Sequence, residues 1–182
     1  MPRKALAPAS RLSWMPCRVT SADTPSLDEM CDLLADAVRD GASVGFLAPL
    51  PHATAVEYWT SVYALLDGDH YLWIVESEGK VIGSVQLAAC TKPNGRHRAE
   101  VQKLLVRTTH RGQGLATRLM AALESFSQSI GCTLLVLDTE SGSSAEGVYR
   151  HMGWQRVGEI PEYAGRPDGQ LIATAVYFKR MV

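Results

Sequence analysis

Residues Arg111–Met120 read RGQGLATRLM, and the fold turns on this stretch. Two glycines bracket one glutamine, and a run of good helix formers follows at once. A plain strand-to-helix turn needs only one glycine for its positive φ. A second one clears side chains from the place where the first helical N–H groups point outward without intrahelical partners. Those amides, with the positive end of the helix dipole, make a ready anion site. Upstream, RAEVQKLLV (Arg98–Val106) reads as a strand; downstream, the helix is expected from about Gly114 to Ile130. The unit is therefore strand, glycine loop, helix.

Three readings of that unit compete. The first is a bare turn. The second is a dinucleotide turn, with Gly112 and Gly114 as its glycines and Asp138 as the ribose-binding acid. Against it, Thr117 stands where close helix–strand packing needs Gly or Ala. Too little chain follows Asp138 for the remaining strand–helix units, and the loop lies behind a hairpin instead of opening the domain. The third is a pyrophosphate cradle, in which a diphosphate meets the amides of Gly112, Gln113, Gly114, Leu115, Ala116 and Thr117. Arg111 would add a charge-assisted contact there.

Around this unit the sequence gives the order β-α-α-β-β-β-α-β-α-β-β. A short strand at Cys17–Asp23 precedes a helix in Ser26–Gly41, where Ser26 and Glu29 form a capping-box pattern and Leu27, Met30, Leu34, Ala37 and Val38 a stripe. A second helix spans Ala53–Asp69, with Val56, Trp59, Tyr63 and Leu66 on one face and Gly68 ending it. HYLWIVES (His70–Ser77) and KVIGSVQLAAC (Lys80–Cys90) flank a tight turn and read as a hairpin. KPNGRHR is a loop whose Asn-Gly accepts positive φ cheaply. After the glycine loop and its helix come strand CTLLVLD, helix SAEGVYRHM, and closing strands GWQRVGEI and TAVYFKRMV.

The 182 residues fit one domain over 16–182 behind a flexible tail at 1–15. The formal net charge of −1 argues against a general nucleic-acid binder, so an anionic ligand must be held by local geometry. No apolar run approaches a bilayer span. Cys17, Cys31, Cys90 and Cys132 form no Cys-x-x-Cys pair and have no histidine at zinc spacing. They read as reduced thiols of a cytoplasmic protein, and no metal is expected.

Arg111-x-x-Gly114-x-Ala116 resembles the signature of the GNAT (Gcn5-related) N-acetyltransferases, and the element order resembles theirs. GASVGF (41–46), KPNG followed by RAEVQKL (92–104), LDTE (137–140), RVGE (156–159), PDG (167–169) and TAVYFK (174–179) further resemble the tabtoxin-resistance branch of that family, from about Gly41 to Lys179. The resemblance implies an α+β fold: a mixed, mostly antiparallel sheet of about six to seven strands, helices on both faces, and strands splayed at a cofactor cleft. It implies acetyl-CoA as cosubstrate and direct attack by a primary amine of a small molecule in a ternary complex. The acceptor would be an amino-acid-like toxin such as tabtoxinine-β-lactam; acetylation of a protein or peptide amine and non-catalytic acyl-CoA sensing are the alternatives. A monomer or homodimer is expected, with no nucleic-acid or membrane partner.

In that family the pantetheine arm lies along the strand before the loop, here the backbone of Leu104, Leu105 and Val106. An alkylammonium is almost wholly protonated at neutral pH, so a base must take its proton before it attacks. Glu100 and Asp138 are both candidates. Tyr149 is the candidate acid for the leaving thiolate, since Ala145, Tyr149 and Gly153, spaced by four, resemble the family's second cofactor segment. The family's asparagine before that segment is Gly142 here, so Ser143 or Ser144 would supply its hydrogen bond. Lys92, Arg96, His97 and Arg98 are either a solvated loop tip or cations for an acidic substrate or the ribose phosphate. Arg98, Asp138, Tyr163 and Asp168 are the substrate-side candidates, the last two in a polar loop over Glu162–Gly169.

Overall fold

The computed structural model describes residues 14–181. Seven strands form one sheet in the order β1-β2-β3-β4-β5-β7-β6: β1 Cys17–Val19, β2 His70–Ser77, β3 Lys80–Ala89, β4 Arg98–Val106, β5 Leu134–Glu140, β6 Gln155–Gly165 and β7 Leu171–Arg180. Every neighbouring pair is antiparallel except β4 with β5. The helices are α1 Leu27–Arg39, α2 His52–Ala64, α3 Leu115–Ser129 and α4 Ser144–His151. This is the expected α+β architecture.

Side-chain alternation divides the core in two. Leu72 and Ile74 of β2 join the core under α1 and α2, with Met30, Leu34, Ala55 and Trp59. Their neighbours Trp73 and Val75 join the core under α3 and α4, with Leu115, Leu119, Leu123 and Tyr149. Strand residues of opposite parity thus bury opposite faces, and both faces carry helices.

Several local expectations change. Ser26 precedes α1 without a side-chain cap, and Glu29 does not close a capping box. Its carboxylate instead accepts from the Val81 amide at 3.2 Å and from Arg107 at 3.0 Å. A tertiary ion pair has displaced a local motif. On α2 the buried residues are Ala55, Trp59 and Val62, with Val56 and Tyr63 only half-buried, and the helix ends before Gly68. Gly95 is not a positive-φ glycine; it is needed because a Cβ there would come within 2.5 Å of Cys90 Sγ. β6 runs on to Gly165, so Tyr163 lies on a strand, within the register shift between Ile160 and Ala164.

The expected tail lies outside the described residues up to residue 13. Its last part is not loose: Trp14 is buried in the α3-side core, and its indole N–H donates to Ser77 Oγ at 3.2 Å.

Candidate active site

β4 and β5 pair only at Arg98–Leu134, Ala99–Leu135 and Glu100–Val136. Beyond that point the two strands part, and the gap opens toward their carboxyl ends. The Arg107 amide donates to Ile82 O on β3 at 2.9 Å. In a planar trans peptide the Val106 carbonyl must then point the other way, into the gap. Leu104 shares that orientation by strand alternation, while Leu105 faces β3 opposite Ser84.

The glycine loop lies where β4 ends. Gly112 and Gly114 take φ of +70° and +79°, and a Cβ on either would meet nothing within 4 Å. Their side is open, as a ligand approaching the backbone requires. α3 begins after Gly114 with no side-chain cap, held down by buried Leu115. Among the described residues, no amide from Gly112 to Thr117 donates to a protein acceptor. Six donors at a helix start thus share one open surface, which fits an anionic diphosphate.

Arg111 differs from expectation. Its guanidinium pairs with Asp40, at the end of α1, and its Nε donates to the Val106 carbonyl at 3.3 Å. It braces the loop against α1 and occupies one of the two backbone carbonyls turned into the gap.

Across the gap, Leu135 and Leu137 of β5 are buried in the α3-side core, so Asp138 points to the opposite face. Ala99 and Val101 likewise place Glu100 there, where its carboxylate accepts from Gln102 at 2.8 Å. Asp138 is exposed at the mouth of the gap, yet its carboxyl is raised above the usual range. Partial burial is the main cause and repulsion from Glu100 the second, while Lys103 opposes them. Tyr149 is buried between Trp154 and Tyr177, with ring centroids 6.0 Å from each. Burial, then the charge of Asp138, raises its phenol, so it stays protonated at neutral pH.

Ser143 stands just before α4, and its Oγ is buried without a hydrogen-bond partner. A buried hydroxyl lacking a partner is uncommon, and a ligand group would satisfy it. Arg98 and Glu100 line one cavity of about 250 Å³ together with Lys92 and Cys90. Asp168 is elsewhere, in a cavity of about 260 Å³ with Arg39, Gly41 and Arg166. Tyr163 is 59% exposed. The structure therefore brings Arg98 and Glu100 to one cavity, sets Asp138 within reach of the Glu100 charge, and leaves Asp168 in a separate cavity.

Lys103 belongs to the same face and was missed by the sequence reading. It occupies a bulge in β4 with φ +48°, between the Ser84–Leu105 and Gln86–Gln102 pairs. Its Nζ lies 5.5 Å from the ring centroid of Tyr58, whose hydroxyl bonds Gln86. The only sequence signal was a lysine inside an otherwise apolar strand end.

Open helix-start amides beside a parted parallel strand pair make an anion-accepting site at the mouth of a cleft. A family model described as acetyltransferase (GNAT) family matches residues 27–154, most of the chain, and the chain belongs to that family. It is 31% identical over 123 residues, 66% of its length and 72% of the relative's, to an uncharacterized N-acetyltransferase in the hisH-hisA intergenic region of Azospirillum brasilense. The chain spans 39–44% of the length of the mammalian N-acetyltransferase 8 relatives it matches. By structure it is similar to the ribosomal-protein-alanine N-acetyltransferase of Brucella melitensis, with a TM-score of 0.74, 18% identity, and 91% and 99% of the two chains covered. It is also similar to a phosphinothricin acetyltransferase from Sinorhizobium meliloti in complex with acetyl-CoA, at a TM-score of 0.74 and 16% identity over 92% and 88%. As a family member the chain is an N-acetyltransferase, and acetyl-CoA is its cosubstrate.

Proposed function

We propose that this enzyme acetylates the primary amine of a small, amino-acid-like molecule by direct attack in a ternary complex. The observation that carries the reading is one of alignment. The unclaimed amides of Gly112–Thr117, the parting of β4 from β5 and the Asp138 carboxylate all lie at the carboxyl ends of the same two strands.

Those amides would hold the diphosphate, the backbone of Leu104 would pair with the pantetheine arm, and Ser143 Oγ would receive one of its polar groups. Bound there, acetyl-CoA supplies a thioester carbonyl and a thiolate leaving group. Asp138, raised above the ordinary carboxylate range, is the better matched base for an ammonium proton, with Glu100 beside it. Tyr149 keeps its proton at neutral pH and donates it to the departing sulfur. The ammonium first gives one proton to the carboxylate; as the nitrogen–carbon bond forms and the carbon–sulfur bond breaks, the phenol protonates the sulfur and the second nitrogen proton restores the phenol. Arg111 serves the loop's shape rather than the phosphate.

The words shared with the tabtoxin-resistance branch support an amino-acid toxin such as tabtoxinine-β-lactam as acceptor. The name of the Sinorhizobium meliloti neighbour, which acts on another amino-acid-like compound, fits the same class. The name of the Brucella melitensis neighbour, a ribosomal-protein-alanine N-acetyltransferase, supports a protein or peptide amine as the second reading. Four free cysteines suit a reducing cytoplasmic setting.

Thiol release from acetyl-CoA across a panel of amino acids, amines and N-terminal peptides tests this. Turnover with small amines is expected, and Tyr149→Phe should lower kcat about 100-fold while leaving the KM for acetyl-CoA within a factor of about three. Saturable acetyl-CoA binding with no turnover would make the protein a sensor. Turnover confined to peptides would select the second reading.

A further inference from the structure

Strict alternation along β4 would turn Lys103 toward the α3-side core, where Ala99 and Val101 are buried. The chain avoids this by taking φ +48° at Lys103, a left-handed conformation that costs a lysine about 1–2 kcal/mol. The bulge returns Leu104 and Val106 to the α3-side core and leaves Lys103 on the α1–α2 face with Glu100 and Asp138. Strain kept at one residue beside a reaction cleft invites a functional explanation.

The surroundings of the ammonium supply one. The ring of Tyr58 lies 5.5 Å from Nζ. The loop between α1 and α2 passes over it, since a Cβ on Gly45 would lie 3.8 Å from Nζ. That loop is itself fixed to the β6–β7 connection by Ser43 Oγ to Gly165 O at 3.2 Å and by the Ala48 amide to Pro167 O at 2.8 Å. The Lys103 ammonium forms no salt bridge and no hydrogen bond to protein among the described residues. Burial lowers its affinity for a proton, with Asp138 and then Glu100 acting the other way. A half-buried ammonium held by no direct ion pair is costly unless a ligand completes it.

We infer that Lys103 receives the carboxylate of the acceptor, so that the enzyme selects amino acids over amines that lack an acid group. The inference rests on the proposed transfer to a small amine and names the substrate class of that site. Two carboxylates and one ammonium on a single face form a dipolar receptor. In an α-amino acid the nitrogen and the carboxyl carbon are only about 2.5 Å apart. The substrate's ammonium would face Asp138 and Glu100, and its carboxylate would face Lys103. Tyr58, its phenol pushed up to about 12 mainly by burial, remains a neutral wall beneath that pair.

The test compares matched acceptors in the thiol-release assay: L-methionine with L-methioninamide, and L-lysine with cadaverine. The wild type should favour the acid of each pair by at least about tenfold in kcat/KM. Lys103→Met and Lys103→Gln should each collapse that ratio toward one, and Lys103→Arg should restore part of it. Acetyl-CoA affinity, read separately, should stay within about twofold in all three and so report an intact cleft. Equal use of acid and amide by the wild type, or an acid preference that survives both substitutions, would overturn the inference while leaving the transferase reading in place. A loss shared equally by acids and amides would assign Lys103 a structural role and also overturn it. No transfer to any of the four would overturn both.

Discussion

α3 and α4 start within the same half of the molecule, yet the amides leading into the two helices are treated in opposite ways. α4 follows Ser143, and the Glu146 carboxylate reaches back to accept from the Gly142 amide at 2.7 Å. The same carboxylate accepts from the Tyr177 hydroxyl and lies 3.8 Å from Arg156. That end is closed by the protein's own anion. α3 follows Gly114, a residue with no side chain, and its first amides have no protein acceptor among the described residues. A helix start lacking its own acceptor is stable only if water or a ligand completes it. What sets α3 apart is that its unclaimed amides extend back through Gln113 to Gly112, on a loop whose two glycines leave the approach open.

The strongest way to break the contrast is to close α3 as α4 is closed. Gly114→Asp places a carboxylate among the open amides, at a position whose Cβ meets no neighbour and whose left-handed φ an aspartate tolerates better than most residues. Acetyl-CoA affinity should fall at least about 100-fold, roughly 3 kcal/mol, while the melting temperature stays within a few degrees. Gly114→Asn, with the same shape and no charge, should lose much less. Isothermal titration of both variants checks this; affinity retained by the aspartate variant would detach the diphosphate from α3.

The reciprocal change opens α4. Glu146→Ala leaves the Gly142 amide and the buried Tyr177 hydroxyl without their acceptor, while Arg156 keeps its pairing with Glu159. The expected cost is about 2–3 kcal/mol of stability in a denaturant melt. Acetyl-CoA affinity should change far less than stability, because this end is not the anion site. A variant as stable as the wild type would show that the closed end is ornamental.

Much of this contrast was legible in the sequence. Glycines at 112 and 114 ahead of a helical run announce open amides locally, and the hairpin of β2 and β3 announces itself by its short turn. The order of the elements followed from these local signals, and their assembly into one mixed sheet from the family resemblance. The acceptor face was not legible in the same way. Regular alternation in RAEVQKLLV puts Glu100, Gln102, Leu104 and Val106 on one side, but the bulge at Lys103 reverses parity halfway along the strand. A lysine accepting positive φ carries no local signature, so its place beside Asp138 could not be read. The pairing of Arg111 with Asp40 was hidden for a related reason. Asp40 is 71 residues away, and no spacing rule connects the two.

The finest distinction within the site is between its two carboxylates, and it can be separated by pH. If Asp138 is the base, turnover requires its ionised form, so kcat/KM falls as pH drops through its pKa. Burial raises that pKa most, Glu100 raises it further, and Lys103 lowers it. Glu100→Gln removes only the second of these, so the acid limb should move to lower pH by less than about one unit, with the plateau rate largely kept. Lys103→Met removes the opposing charge, so the limb should move to higher pH. The two shifts have opposite signs because the two side chains carry opposite charges, which a loss of folding would not reproduce. Abolished turnover in Glu100→Gln, with the protein still folded and binding acetyl-CoA, would instead make Glu100 the base and leave Asp138 to orient the amine.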